Sequence, residues 1–272
     1  MKKTLIRVAL LNGAKRIPIG MACAAAAIAL LTHYAEATVS PVALGSASDF
    51  AVLAGAGVAN AGLTTITGDV GSSPTVTTAG FGTVTLFGTN HGGDGTTVIA
   101  QGALDAAYSD AASRTPTTTY GAIFDLQGLT LSSGIYNDPS SFSLNGTLTL
   151  DAQGDPSAVW IFQAGSTLST GANSEILLTG GALASNVFWQ VGSSATIGAD
   201  TQFAGSVLAF TSITLGSGST VAGRMLAENG AVSLTNNTIT IPEPRNILIL
   251  GFGLGILCLV RRRLPAAFRP QR

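Results

Sequence analysis

Two short segments recur eighteen residues apart: Gly205-Ser206-Val207-Leu208-Ala209 lines up with Gly223-Arg224-Met225-Leu226-Ala227, and Thr196-Ile197-Gly198 with Thr214-Leu215-Gly216. Upstream, Phe162-Gln163-Ala164-Gly165-Ser166 returns as Trp189-Gln190-Val191-Gly192-Ser193. Self-similarity on this scale constrains a chain more than any single motif, because one repeat is too short to bury its own apolar face and must stack on its neighbours. Alternating or β-branched segments at 147–150, 159–162, 187–191, 206–210 and 231–234 are separated by Gly, Ser, Asn and Asp, the punctuation of strands and turns. A coil of 18 to 20 residues leaves about six for each side of a triangular cross-section, so the expected fold is a β-solenoid.

One segment departs from this pattern. Residues 96–113 hold no turn residue except Gly102, and at ~100° per residue Ile99, Ala103, Leu104, Ala106, Ala107, Tyr108 and Ala111 share one broad face. Gln101, Asp105, Ser109 and Ser113 fall opposite. The spacing predicts a single amphipathic helix with Asp94 as its N-cap and Pro116 just beyond its end. Its many alanines suit close packing along a flat sheet.

Charge is distributed unevenly. Of the 13 Lys and Arg, five lie in residues 1–16 and six in 245–272, leaving only Arg114 and Arg224 between. The body from 38 to 241 also carries 12 of the 14 acids, for a net charge of −10, which excludes a basic footprint for nucleic acid. The ends read as export signals. Lys2, Lys3, Arg7, Lys15 and Arg16 precede an apolar run at 17–31 and the small-x-small site Ala35-Glu36-Ala37, so residues 1–37 are expected to be a signal peptide. Pro242-Glu243-Pro244 is followed by an apolar run at 247–260, marginal for a permanent membrane span, and then by Arg261-Arg262-Arg263. Residues 242–272 thus resemble the PEP-CTERM sorting signal of Gram-negative bacteria. That resemblance implies transient membrane anchoring through 247–260 and removal by an exosortase-type processing peptidase, as a GPI signal is removed. Cys23 and Cys258 both fall in these end segments, so the body has no disulfide or thiolate to draw on.

The inventory for catalysis is thin. The body contains one histidine, His91, and neither cysteine nor lysine, which excludes Cys-His chemistry, Schiff bases and His-rich zinc sites. No Ser sits in a strand-to-helix elbow that could use His91, and Asn90 to Gly95 reads as a surface turn, since the ligand series of an EF-hand is missing. Asp151 and Asp155 flank a glycine turn and read as turn residues rather than as the paired carboxylates of a glycan hydrolase. No cofactor and no enzymatic activity are expected.

The body resembles the microbial ice-binding protein family, the antifreeze-type β-solenoids. The resemblance is carried by Leu44-Gly45-Ser46-Ala47-Ser48-Asp49-Phe50, Thr67-Gly68-Asp69-Val70-Gly71, Arg114-Thr115-Pro116, Leu148-Thr149-Leu150-Asp151-Ala152-Gln153-Gly154-Asp155, Ala158-Val159-Trp160-Ile161-Phe162-Gln163, Asn186-Val187-Phe188-Trp189-Gln190, Gly223-Arg224 and Asn229-Gly230-Ala231-Val232. It implies a mainly β fold, a right-handed three-faced β-solenoid with one long α-helix packed along one face, and an ice crystal surface as the partner of an uncovered flat face. Many members carry a T-A/G-x-T/N pattern there. Thr170-Gly171-Ala172-Asn173 satisfies it, Ser217-Gly218-Ser219-Thr220 nearly does, and Gly198-Ala199-Asp200-Thr201 keeps only its second and last positions, with the Asp200 charge close to the face. The resemblance therefore implies an ice-binding set of Thr170, Asn173, Thr201, Ser217 and Thr220. Short hydroxyl and amide side chains held at the ~4.8 Å strand repeat can order water in an ice-like array. The alternative is a non-catalytic cell-surface or biofilm-matrix protein on the same fold, with exopolysaccharide or the cell envelope as partner. The sorting tail favours that reading and the family resemblance favours ice.

Overall fold

The computed structural model describes residues 39–242; the signal-peptide and sorting-tail expectations fall on 1–37 and 242–272, almost entirely outside the described residues. Within them, the eighteen-residue repeat is one turn of a coil. Trp189 pairs with Val207 and Val207 with Met225, all in parallel register, and Thr196 stacks on Thr214. Earlier coils are longer than expected. Phe162 meets Trp189 directly, because the loop and short 3-10 turn before Val187 add residues at one corner without disturbing the strands.

Each full coil visits three faces. The first holds Phe50–Ala54, Asp69–Ser72, Asn90–Gly92, Gly134–Asp138, Trp160–Ala164, Val187–Val191 and the second halves of Gln202–Ala209 and Thr220–Ala227. The second is an eight-stranded sheet running Thr78–Ala79, Val58–Ala61, Val232–Thr235, Ile213–Leu215, Ala195–Ile197, Leu168–Thr170, Phe142–Leu144, Phe124–Asp125. The third holds Thr64–Thr67, Val84–Phe87, Thr147–Asp151, Glu175–Thr179, Thr238–Thr240 and the first halves of the two long strands. Those long strands pass from the third face to the first without a break. Gly205 makes the bend at φ 111°, a conformation side chains rarely adopt, and Gly223 stacks against its backbone.

Stacking order differs from chain order. Val52 and Leu53 pair with Met225 and Leu226 on one side and with Val70 and Gly71 on the other. Val58 likewise pairs with Val232, and Thr65 with Thr238. The first coils in the sequence therefore sit on top of the last.

Helix α1, Gly95–Ser113, runs along the first face. Asp94 caps it, accepting a hydrogen bond from the Thr97 amide at 3.0 Å. Its buried line is Thr97, Ala100, Leu104, Ala107 and Ala111, whereas Ile99 and Ala106, expected on the inner face, look into solvent. Small residues win the inner positions because they let the helix lie close to a flat sheet. Leu104 and the alanines pack on Phe50, Leu53, Val159, Ile161, Phe188, Leu208 and Leu226. The alternate residues of the same strands, Trp160, Phe162 and Trp189 among them, fill the coil interior. Burial on both sides explains why these strands read as unbroken apolar runs. Inside, Tyr136, Phe162 and Trp189 form a ladder of stacked rings, the last two with centroids 3.9 Å apart.

Polar side chains fasten α1 and the entering chain. Gln163 Nε2 donates to the Ala111 and Arg114 carbonyls, each at 2.8 Å. Arg114 pairs with Asp110 and donates to the Ser40 and Pro41 carbonyls, and Arg224 donates to the Ser48 carbonyl at 2.8 Å. Among the described residues, no helix is long and apolar enough to cross a membrane.

Candidate functional site

The helix covers one face of the solenoid and leaves two bare. On the eight-stranded face each short strand has an apolar-x-apolar or closely similar pattern, as in Ile213-Thr214-Leu215, so its middle residue points outward. Register aligns those residues into one column: Ser143, Ser169, Thr196, Thr214 and Ser233 on five consecutive rungs, continued by Ala59 and Ala79. Ser169, Thr196 and Thr214 are exposed; Ser143 and Ser233 are half-buried. Parallel pairing spaces them at ~4.8 Å. Asp125, which pairs with Ser143 at the end of the column, is the only charged residue in these strands. Burial raises its pKa, but hydrogen bonds from the Asn145 side chain and the Gln127 amide outweigh that and hold it below the usual carboxylate range.

The third face is less uniform. Its outward column runs Thr147, Glu175, Gln202, Thr220, Thr238, Thr65, Thr85, and beside it Thr240 and Thr67 pair, followed by an exposed Phe87. Six threonines thus cluster toward one end, with Glu175 and Gln202 interrupting the column at the middle of the stack.

The five residues singled out from the T-A/G-x-T/N pattern are not brought onto one exposed plane. Thr170 and Thr201 are buried, at 7% and 0% exposure, in the corner between the eight-stranded and third faces. There Thr201 donates to the Gly171 carbonyl at 3.1 Å, and Thr170 accepts from the Gly198 amide at 2.8 Å. Asn173 and Ser217 are exposed in the same corner turn, and Thr220 belongs to the third face. The three four-residue matches begin at different steps of the turn. Asn173 stacks near Asp200, whose amide donates to Ser217, and Thr220 pairs with Gln202 rather than with Thr201. Asn173, Asp200 and Asn236 all occupy left-handed φ, at 58°, 54° and 52°, which breaks the in-out alternation on which a linear pattern depends.

The groups weighed for catalysis have structural duties. His91 lies between two carboxylates, with Nε2 3.1 Å from Asp69 and Nδ1 3.0 Å from Asp94, and so braces the helix cap. Asp151 Oδ1 accepts from the Gln153 amide and Asp155 Oδ1 from the Ser157 amide, each at 2.8 Å, as turn residues do.

Residues 52–240 match the family model described as ice-binding-like. The chain belongs to that family. An ice-binding protein from Nostoc sp. (strain HG1) is 42% identical over 255 residues, covering 88% of this chain and 93% of that protein. One from Flavobacterium frigoris (strain PS1) is 34% identical over 220 residues, covering 76% and 78%. Among solved structures, an ice-binding protein from an Antarctic biological consortium superposes with a TM-score of 0.74 at 45% identity, covering 76% of this chain and 94% of that one. An ice-binding protein from Arctic yeast, whose structure is described as the basis of its antifreeze activity, gives 0.67 at 31%, covering 75% and 97%. The mainly β, helix-backed solenoid expected from the resemblance is therefore the family's fold, and ice-binding proteins of this family are not enzymes.

Proposed function

We propose that this ice-binding family member is exported and adsorbs to ice through its eight-stranded face, slowing ice growth or recrystallisation outside the cell. The observation that carries the choice of face is the unbroken column Ser143, Ser169, Thr196, Thr214, Ser233, which no charged side chain interrupts. A charge holds its own hydration shell and competes with lattice order, whereas a small hydroxyl beside a methyl holds water weakly and in register. Thr170 and Thr201 then act beneath the face, fixing the corner that keeps its edge straight, while Asn173 and Ser217 mark its rim and Thr220 lies around the corner.

Thr196→Tyr tests this reading. Thr196 is exposed at the centre of the column, so a ring there holds the lattice away from neighbours on both sides without touching the core. Thermal hysteresis and recrystallisation inhibition should be lost while the melting temperature stays within about 2 °C of the parent, as surface substitutions usually do. Retained activity in Thr196→Tyr, together with loss in Thr238→Tyr, would move the site to the threonine cluster of the third face. Absence of ice shaping in the parent protein would remove the ice reading and leave a matrix or adhesive role.

A further inference from the structure

We propose that Asn145 deamidates spontaneously in the folded protein, its side-chain amide being displaced by the backbone nitrogen of Gly146, and that the resulting carboxylate loosens the terminal rung of the eight-stranded face.

Asparagine followed by glycine is the pair that closes on itself most readily, because no side chain on the second residue shields its nitrogen. Within the described residues this pair occurs twice, at Asn145-Gly146 and Asn229-Gly230. Both asparagines are exposed. They differ in the state of the nitrogen that has to attack.

Gly230 is buried in the stack and paired on both flanks. Its amide donates to the Thr211 carbonyl at 3.0 Å, and its carbonyl accepts from the Gly55 and Ala56 amides at 3.0 and 2.9 Å. Gly146 is half-buried and paired on one flank only. Its carbonyl accepts from the Glu175 amide at 2.9 Å, while among the described residues no acceptor meets its own amide. The cause is its place next to the end of the stack. The Gly128 amide reaches past it to the Thr147 carbonyl at 2.7 Å, and what lies against Gly146 is the Gln127 side chain, whose Cγ a Cβ there would meet at 2.8 Å. Backbone donors within a stack are nearly always paired, so this free amide singles the site out.

The chemistry needs only water. Gly146 N forms a bond to Asn145 Cγ and gives up its proton, the Cγ–Nδ2 bond breaks, and Nδ2 takes up a proton and leaves as ammonia. The succinimide that remains is opened by one water molecule at either ring carbonyl. One opening gives aspartate on the original backbone, and the other gives isoaspartate, with the chain routed through the side-chain carbon.

Asn145 fastens the end of the stack as long as it stays an amide. Its Nδ2 donates to Asp125 Oδ2 at 2.8 Å and its backbone amide to Asp125 Oδ1 at 3.2 Å. Phe124–Asp125, the strand that carries this carboxylate, pairs with Phe142–Leu144 and with no other strand among the described residues. An ionised carboxyl at 145 has no proton to donate and sets a second negative charge against Asp125. Isoaspartate also lengthens the chain path between Leu144 and Thr147.

The test ages the parent protein in mildly alkaline buffer, folded and in urea, and follows both sites by peptide mapping with mass spectrometry and isoaspartyl methyltransferase labelling. In urea the two pairs should convert at rates within about threefold of each other, having lost their surroundings. In the folded protein Asn145 should slow by no more than about tenfold and Asn229 by at least about a hundredfold, because Gly230 must first be freed by local opening of paired coils. Equal slowing at the two sites, or faster conversion at Asn229, would overturn the proposal. Asn145→Asp supplies the product directly and should lower the melting temperature by about 2–4 °C. A melting temperature equal to the parent's would refute the loosening.

Discussion

The hydroxyls of Thr170 and Thr201 meet 3.3 Å apart inside the corner that bounds the eight-stranded face. Both side chains are buried, so the pair belongs to the scaffold of that face. Thr201→Val removes a donor to the Gly171 carbonyl while keeping the volume, and should lower unfolding free energy by about 1–2 kcal/mol. Thr201→Tyr has no room for its ring and should cost more, about 3 kcal/mol. Urea denaturation of the two variants measures both, and a Thr201→Tyr protein as stable as its parent would show that the corner is open.

Asp200 holds its charge at the rim of the eight-stranded face on a left-handed backbone, with φ 54°. Threonine there would place a β-branched residue at φ 54°, so Asp200→Thr should destabilise by about 1–2 kcal/mol, whatever it does to the charge at the rim. Asn tolerates that backbone, as Asn173 and Asn236 already do in neighbouring turns. Asp200→Asn should keep the melting temperature and raise thermal hysteresis.

Stability should fall as pH rises from about 5 to 8. Burial disfavours the charged form of His91, yet hydrogen bonds to Asp94 and Asp69 prevail and raise its pKa above 6.5, so its contribution is complete below that value and fades as pH climbs through the folded one. Glu228 works in the same sense. Burial first, and then the Asp105 charge, push its carboxyl from 4.5 up to about 7, and its Oε1 has no hydrogen-bond partner. The folded state therefore favours the protonated acid, and this contribution is full below 4.5 and lost toward pH 7. Glu228→Gln should flatten the decline and, after allowance for its partial exposure, gain on the order of 1 kcal/mol at pH 8. A pH series of melting temperatures for parent, Glu228→Gln and His91→Gln separates the two groups.

Gly71 lies directly against the first turn of α1. A Cβ there would lie 2.6 Å from Thr97 Oγ1 and 2.8 Å from Phe50 Cε1. Gly71→Ala should lift the first turn of α1 and cost about 1–3 kcal/mol. Amide exchange should report it first at residues 97–101, ahead of global unfolding.

Coils and helix were legible because their signals are local. The match of Phe162-Gln163-Ala164 with Trp189-Gln190-Val191 is the register in which those strands pair, and Asp94 is the cap its sequence position implies. The rotation of α1 was not legible: hydropathy ranks Ile99 above Thr97 and Ala100, while the sheet selects for small size. Nor was the outward column, since Ser169 and Thr196 belong to three-residue strands whose parity is reset at every left-handed turn. The pairing of Val52 with Met225 has no local signature at all, because each residue is an ordinary member of a buried strand.

That last pairing sets a condition on how the molecule can be made. A chain that emerges from its N-terminus delivers Phe50–Ala54 early and its partner Thr220–Ala227 near the end. Throughout that interval one flank of the first coils, the one bearing Val52, Val58 and Ile66, is an unpaired parallel edge, the kind of surface that recruits foreign strands. Contacts between residues so far apart in the chain also form slowly. Any product cut short before Thr240 keeps part of that flank open, so the last coil works as a latch: until it arrives the growing chain presents an unpaired parallel edge, and once it closes that edge is covered.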